Sequence, residues 1–349
     1  MSAGQGEGRS VGVPSAAAAV APVPMPRDPE PTEESLRTLE AAGLPVEDAW
    51  LGEMPSFSSL NPTIVSRSGL VSQPFRLPRG GWSMNVAMSY ANVVEYSVEG
   101  PSLHVLDAEI ARGELKVGRD LGRNFWVTGS AGMLYAHQGV FDPFLDWYHE
   151  AIGFVMKERE IRPNNSFADS LVIDNQVMRA SSRGGWALSD IRLTGGVRMT
   201  PWAQAALSVT LPVAGQGNLD YRGVPSVSVT QTVRGRLGDR GVVELAAGLG
   251  YAPKQARGSV LEERSWSHML SAGSRVRVVR GHALYGVLFV HSPSHAGTGM
   301  DTLDGGELTV DFGYVHRWRS GRELRIGFTE DIHRTDQGVD FGVRVSILR

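Results

Sequence analysis

The chain has 349 residues, 34 of them basic and 37 acidic, a net charge of -3, and no cysteine. The missing cysteine excludes disulfides, thiolate metal sites and cysteine nucleophiles, and the near balance of charge gives no general pull toward nucleic acid. No apolar run approaches the ~18 residues of a spanning helix, while 42 glycines exceed the usual share, a pairing that points to an all-β protein.

Residues 1–31 are low in complexity, rich in Gly, Ser, Ala, Val and Pro, and are expected to form a disordered tail. Arg9 and the stretch Val11 to Val23 make a poor secretory signal, because Pro14 and Pro22 interrupt the apolar run. Residues 32–43 predict a short helix capped by Thr32, with Glu33 and Glu34 in its first turn and Gly43 at its end. From Leu51 to Gly81 the pattern is irregular, so residues 32–81 read as a tethered segment and not a domain.

The regime changes at Trp82. Trp82, Met84, Val86, Met88 and Tyr90 alternate with Ser83, Asn85, Ala87 and Ser89, the mark of a strand with one apolar and one polar face. The pattern recurs at Leu115 and Val117, at Phe125 to Tyr135, at Ile191 to Met199, at Leu207 to Leu211 and at Val227 and Val229. It continues at Val243 to Tyr251, at Trp266 to Val278, at Leu308 to Trp318, at Leu324 to Phe328 and at Val339 to Ile347. A more apolar segment spans Ala283 to Val290. Tight turns such as DLGRN, LGDRG and RSGRE join many of these segments.

About twelve regularly spaced segments imply a sandwich or a barrel. Their length of ~10 residues fits a tilted strand crossing a bilayer. Trp82, Tyr96, Tyr135, Trp266, Tyr314 and Trp318 near strand ends fit aromatic girdles. The fold class is therefore an antiparallel transmembrane β-barrel over residues 82–349. A soluble sandwich would alternate in the same way, but in shorter strands.

One connection, over residues 137–185, breaks the rhythm. It holds Phe144, Leu145, Trp147, Tyr148, Ile152 and Phe154, too apolar for disorder, and predicts a partly helical structured loop. The run Gly139, Asp142, Phe144, Asp146, His149 and Gly153, with Arg159 and Pro163-Asn164, resembles the long loop of an uncharacterised Gram-negative family of outer-membrane barrels. Asn61-Pro62, the opening Ser189-Asp190-Ile191-Arg192-Leu193, His291-Ser292-Pro293 and Thr329-Glu330-Asp331 extend the resemblance from about residue 58 to the C-terminus. It implies an outer-membrane location, with outer-membrane lipid and the barrel assembly machinery as partners, and no established activity. The chain departs from the usual aromatic end of such barrels by ending Ile347-Leu348-Arg349.

Chemistry-bearing residues have bland readings beside the sharp ones. His291-Ser292-Pro293-Ser294-His295 reads as a turn, since a catalytic pair needs an orienting third group. Asp142, Asp146, His149 and Glu150 offer too few oxygens for calcium, so no metal or cofactor is expected. The best lead is the polar face, where Arg192, Arg275, Arg277, Arg325 and Arg344 share lumen parity with Asp311. Such a set suits either a selective lumen or a salt-bridged plug of side chains. The loop residues Asp142, Asp146 and His149 are placed at the barrel mouth as a gate meeting those arginines. The functional expectation is porin-like passage of a small solute or a structural envelope role. A lipid-acting barrel enzyme and a soluble β-protein binding a hydrophobic ligand are the alternatives.

Overall fold

The computed structural model describes residues 37, 40, 51–78, 81–122, 124–151, 164–181, 184–215, 219, 221–254, 262–318, 320–332 and 339–349. The expected tail over 1–31, nearly all of the expected helix over 32–43, and Ile152, Phe154, Arg159 and Pro163 lie outside the described residues.

The strands are β1 (Trp82–Glu99), β2 (Ser102–Asp120), β3 (Phe125–His137), β4 (Ala168–Ile173), β5 (Gln176–Ser181), β6 (Gly185–Thr200), β7 (Ala203–Leu211) and β8 (Ser226–Leu237). There follow β9 (Gly241–Tyr251), β10 (Glu262–Glu263), β11 (Trp266–Val279), β12 (His282–His291), β13 (His295–Ala296), β14 (Glu307–Arg317), β15 (Glu323–Asp331) and β16 (Phe341–Leu348). Consecutive long strands pair antiparallel, and β1 pairs with both β2 and β16. That double pairing closes a 12-stranded barrel and removes the free edges that would otherwise template association.

Side-chain parity follows the alternation. Met84, Val86 and Met88 are exposed on the outside, while Ser83 is buried on the inside. Leu245 and Leu270, 60% and 57% exposed, sit on the same outer belt. An Arg at either position is expected to cost about 2–4 kcal/mol of stability in bilayers if it lies near the midplane. Urea titration in lipid vesicles checks this, and a cost near zero would count against a membrane belt. Aromatic side chains rim the belt at both ends: Trp82, Phe125, Trp202 and Trp318 at the short-turn end, and Tyr135, Trp186, Tyr251 and Trp266 at the loop end. Tyr90 stands level with Tyr135 across Ala111, so β1 and β2 run on well above the upper rim. There the β4–β5 hairpin, paired to Leu103–Asp107, takes over from β3 as the neighbour of β2.

The tethered segment does not hang outside the barrel. Residues 51–78 fill its lumen, burying Leu51, Met54, Phe57, Leu60, Ile64, Leu70, Val71, Phe75 and Leu77. The segment enters at the short-turn end, where Gly52 adopts a φ of 68°. A Cβ there would lie 2.7 Å from Glu323 Oε1, so the left-handed backbone and the close approach both call for glycine. The segment climbs to Asn61, turns through the short helix α1 (Pro62–Val65) and descends to the start of β1. The two limbs pair once, Phe57 with Ser72.

The plug explains strands whose inner face is apolar. Tyr285, Val287 and Phe289 of β12 and Met269 of β11 form one core with Met54, Phe57 and Leu70 of the plug. Near the loop end, Val93, Leu106, Ala108, Ile110 and Leu134 enclose Leu60. Thr309, on the inward parity of β14, is fully buried in the filled interior.

Candidate functional site

The lumen arginines hold the backbone of the plug. Arg275 Nη1 donates to the Glu53 carbonyl oxygen at 2.8 Å, and Arg325 Nη2 donates to the same oxygen at 3.1 Å. Arg344 Nη2 donates to the Ser58 carbonyl at 2.7 Å, and its guanidinium lies 4.4 Å from the centre of the Phe57 ring. Arg112 Nη1 donates to the Leu60 carbonyl at 2.6 Å, and Arg222 Nη2 to the Ser68 carbonyl at 2.9 Å. An irregular segment cannot satisfy its own carbonyls, and fixed arginine forks replace the water that would otherwise do so. Wall acceptors serve the plug donors in the same way. Glu244 Oε2 accepts from the Phe75 amide at 2.9 Å, and Glu95 accepts from Asn61 Nδ2 at 2.6 Å and Thr63 Oγ1 at 2.9 Å.

His291 does not point from a turn, as its sequence context led one to expect. It is the last residue of β12, is buried, and its Nε2 lies 2.6 Å from Ser68 Oγ of the plug. Its Nδ1 faces the Ser292 carbonyl at 2.6 Å, so no carboxylate orients the ring and the pair serves as a plug tie. Beside it, β10 and β13 form a two-stranded clamp, and Glu263 of that clamp binds Arg67 of the plug at 3.2 Å. Burial, reinforced by Arg67 and Arg179 and opposed by Asp304, holds His295 of β13 down to about 4. Unfolded histidine titrates at ~6.5. The neutral buried ring therefore contributes stability that is complete above that pH and is lost as pH falls toward 4. Protection of the Arg264 amide against hydrogen exchange, relative to its intrinsic rate at each pH, is expected to fall as pH drops across that window and to stay level in His295→Gln; the amide is bonded to the Ser294 carbonyl at 3.0 Å.

The long loop does not enter the mouth. Its helix α2 (Asp142–Ala151) buries Asp142, Leu145 and His149 and lies against the outer wall above the rim. Phe144 and Tyr148 pack on Phe341, at 6.4 and 6.3 Å between ring centres, and Phe341 shares the outward parity of Val343 and Val345. Asp142 accepts from Asn92 Nδ2 at 2.9 Å, Asp146 from Asn164 Nδ2 at 2.8 Å, and His149 lies 3.7 Å from Glu330. None of these three meets the lumen arginines, because Asn92 and Glu330 project outward from their strands. The gate expected from this loop is thus replaced by the plug, and the loop instead covers the outside of β1 and β16. Trp147, 62% exposed beside Phe144, is left on the outer surface of the loop. Brominated lipid is expected to quench the wild type more than Trp147→Phe. Equal quenching would detach the loop from the lipid surface.

Between the plug and the wall of β1, β2, β3 and β6 a cavity of about 190 Å³ remains. Arg192, Arg325, Arg344 and Asp311 border it, so four of the nine residues singled out by sequence meet there. Arg275 lies outside it, tied to Glu323 at 3.1 Å, and Arg277 stands half-buried beside a register shift at the turn end of β11. Asp311 accepts from Thr329 Oγ1 at 2.7 Å. The sequence reading did not single out Lys116, Arg112, Asp190 and the plug residues Ser56, Ser58 and Ser59, which also line the cavity. Lumen parity pointed to the first two, and nothing in the local pattern of the plug pointed to the last three.

No family model matches the chain, and no curated protein matches it. Among solved structures it is similar to the COG4313 outer membrane channel from Pseudomonas putida F1, with 12% identity, a TM-score of 0.51, and coverage of 78% of this chain and 96% of that one. Weaker likenesses are to the KdgM porin in complex with disordered oligogalacturonate, at 7% identity, TM-score 0.40 and coverage of 76% and 97%. The CymD monoaromatic hydrocarbon channel follows at 10% identity, TM-score 0.37 and coverage of 83% and 90%. The fold is that of an outer-membrane channel barrel.

Proposed function

We propose that the chain passes a small solute across the outer membrane through its lumen, with residues 51–78 as an internal plug that sets the bore. The observation that carries this reading is a closed barrel with an apolar outer belt that keeps a chamber, lined by charged, hydroxyl and apolar side chains, beside its plug. A wall built only to close would pack that space with side chains, since interiors close-pack wherever nothing else is required. The loop motif supports placing the chain in the uncharacterised Gram-negative barrel family, and the aromatic rims support outer-membrane lipid and the assembly machinery as partners. Short turns face the periplasm in such barrels, so the plug enters from that side. The many ties between plug and wall favour a second reading, a permanently closed structural barrel. Proteoliposome swelling decides between them. Swelling in small solutes that fades with solute size is expected, and no swelling from a folded barrel, with or without its plug, would leave the structural role.

A further inference from the structure

We infer that the chamber beside the plug is a binding site for a small hydroxylated organic anion, such as a sugar acid; this rests on the passage reading above. The charges that border the chamber do not cancel. Asp190 is taken by Arg222 at 2.7 Å, and Arg325 is taken by Glu323 at 2.8 Å. The other charges on its wall are the cations Arg112, Lys116, Arg192 and Arg344 and the carboxylates Glu114 and Asp311. Lys116 and Arg192 make only long hydrogen bonds to the described residues. Lys116 Nζ reaches Gln73 Oε1 only at 3.5 Å, and Arg192, which lines the chamber, uses its Nε, at 3.4 Å, on Thr210 Oγ1. Four cations against two carboxylates in a confined space attract an anionic guest, and an arginine fork suits a carboxylate.

Hydroxyls complete the site. Ser89, Ser130, Ser189 and Thr194 of the wall face Ser56 and Ser58 of the plug around the same space. They give and accept hydrogen bonds with any hydroxylated guest. Leu60, Ile64, Leu70 and Val71 also line the space, but a hydrocarbon would displace the water on Lys116 and Arg192 without replacing its hydrogen bonds, a loss that favours the hydroxylated anion over an apolar solute. The volume of about 190 Å³ is somewhat above the ~150 Å³ that houses benzene in an engineered cavity, so the guest is no larger than a single small ring or short chain.

Uptake of gluconate, glucose and toluene by proteoliposomes tests the assignment, together with titration calorimetry of gluconate into the detergent-solubilised barrel. Gluconate is expected to enter faster than glucose by about tenfold, the low end of what a cleft of one sign does for an opposite charge. In Lys116→Gln with Arg192→Gln the preference of gluconate over glucose should vanish, and the gluconate heat should disappear. Lys116→Arg should retain both, and a heat-modifiability gel confirms that each variant is folded. Equal uptake of gluconate and glucose by the intact barrel, or faster toluene, overturns the site while leaving passage intact. Absence of both uptake and gluconate heat overturns site and passage together.

Discussion

Deletion of residues 1–78 is expected to turn a barrel of small conductance into one with a sustained open-pore current. The wall does not depend on the plug for its hydrogen bonds. β1 begins at Trp82 and closes on β16 through Asn85 to Asn92, all beyond the deletion. A twelve-stranded barrel lies between the small barrels filled by their own side chains and the open porins, so emptying it leaves a water-filled bore. Stability should fall, because Tyr285, Val287, Phe289 and Met269 lose their partners Met54, Phe57 and Leu70 and meet water. The barrel ladder should survive that loss, as a heat-modifiability gel can show. A second arm separates a moving plug from a fixed one. Ser72 Oγ lies 2.9 Å from Ser271 Oγ, plug against wall, and the chain has no other cysteine to interfere with a Ser72→Cys, Ser271→Cys pair. If solute passage needs the plug to shift, oxidation of this pair should suppress it and reductant should restore it. A folded, plug-free barrel without current would refute the plug as the barrier.

The wall was legible in the sequence because its physics is local. A period of two, strand lengths near a bilayer thickness and aromatic ends set β1, β3, β6 and β9 without any knowledge of their neighbours. The plug was not, because irregular backbone has no period, and its partners are up to hundreds of residues away, as in the bond from Arg325 to Glu53. Its trace lay in the wall instead. Ala283 to Val290 is apolar on both faces, and Val93 breaks the parity of β1; a lumen of water would not tolerate either. The lower part of β2 was read from its alternation, but its upper part was missed, because Val105 to Ile110 is buried on both faces, with Phe141 of the loop bonded to Glu109 outside and Leu60 of the plug packed inside. The loop was misplaced for a related reason. Its mixture of carboxylates and aromatics suits a mouth or a rim equally, and only the outward parity of Asn92 and Phe341 decides for the rim.

Parity assigned the arginines to the lumen but gave them no partners, and Glu323 shows why. Its carboxylate binds Arg275 Nη2 at 3.1 Å and Arg325 Nη2 at 2.8 Å, and both arginines then reach the Glu53 carbonyl. One buried acid thus organises two buried cations at the point where the plug enters. Glu323→Gln keeps the shape but leaves two guanidinium groups with their nearest counter-charge gone. Removing one partner from a buried ion pair costs about 3–5 kcal/mol, and a loss in that range is expected in urea titrations of the vesicle-embedded protein. Charge reversal at Arg275 would do similar damage, so it is not a clean probe of ion selectivity; Lys116 and Arg192 are. Because the ties of Glu323 converge on Glu53, hydrogen exchange in residues 51–57 should quicken in Glu323→Gln, while Asn61 and α1, held by Glu95 at the other end, stay protected. Uniform exchange along the whole plug would mean that the segment moves as one body and that the Glu323 cluster is not its local anchor.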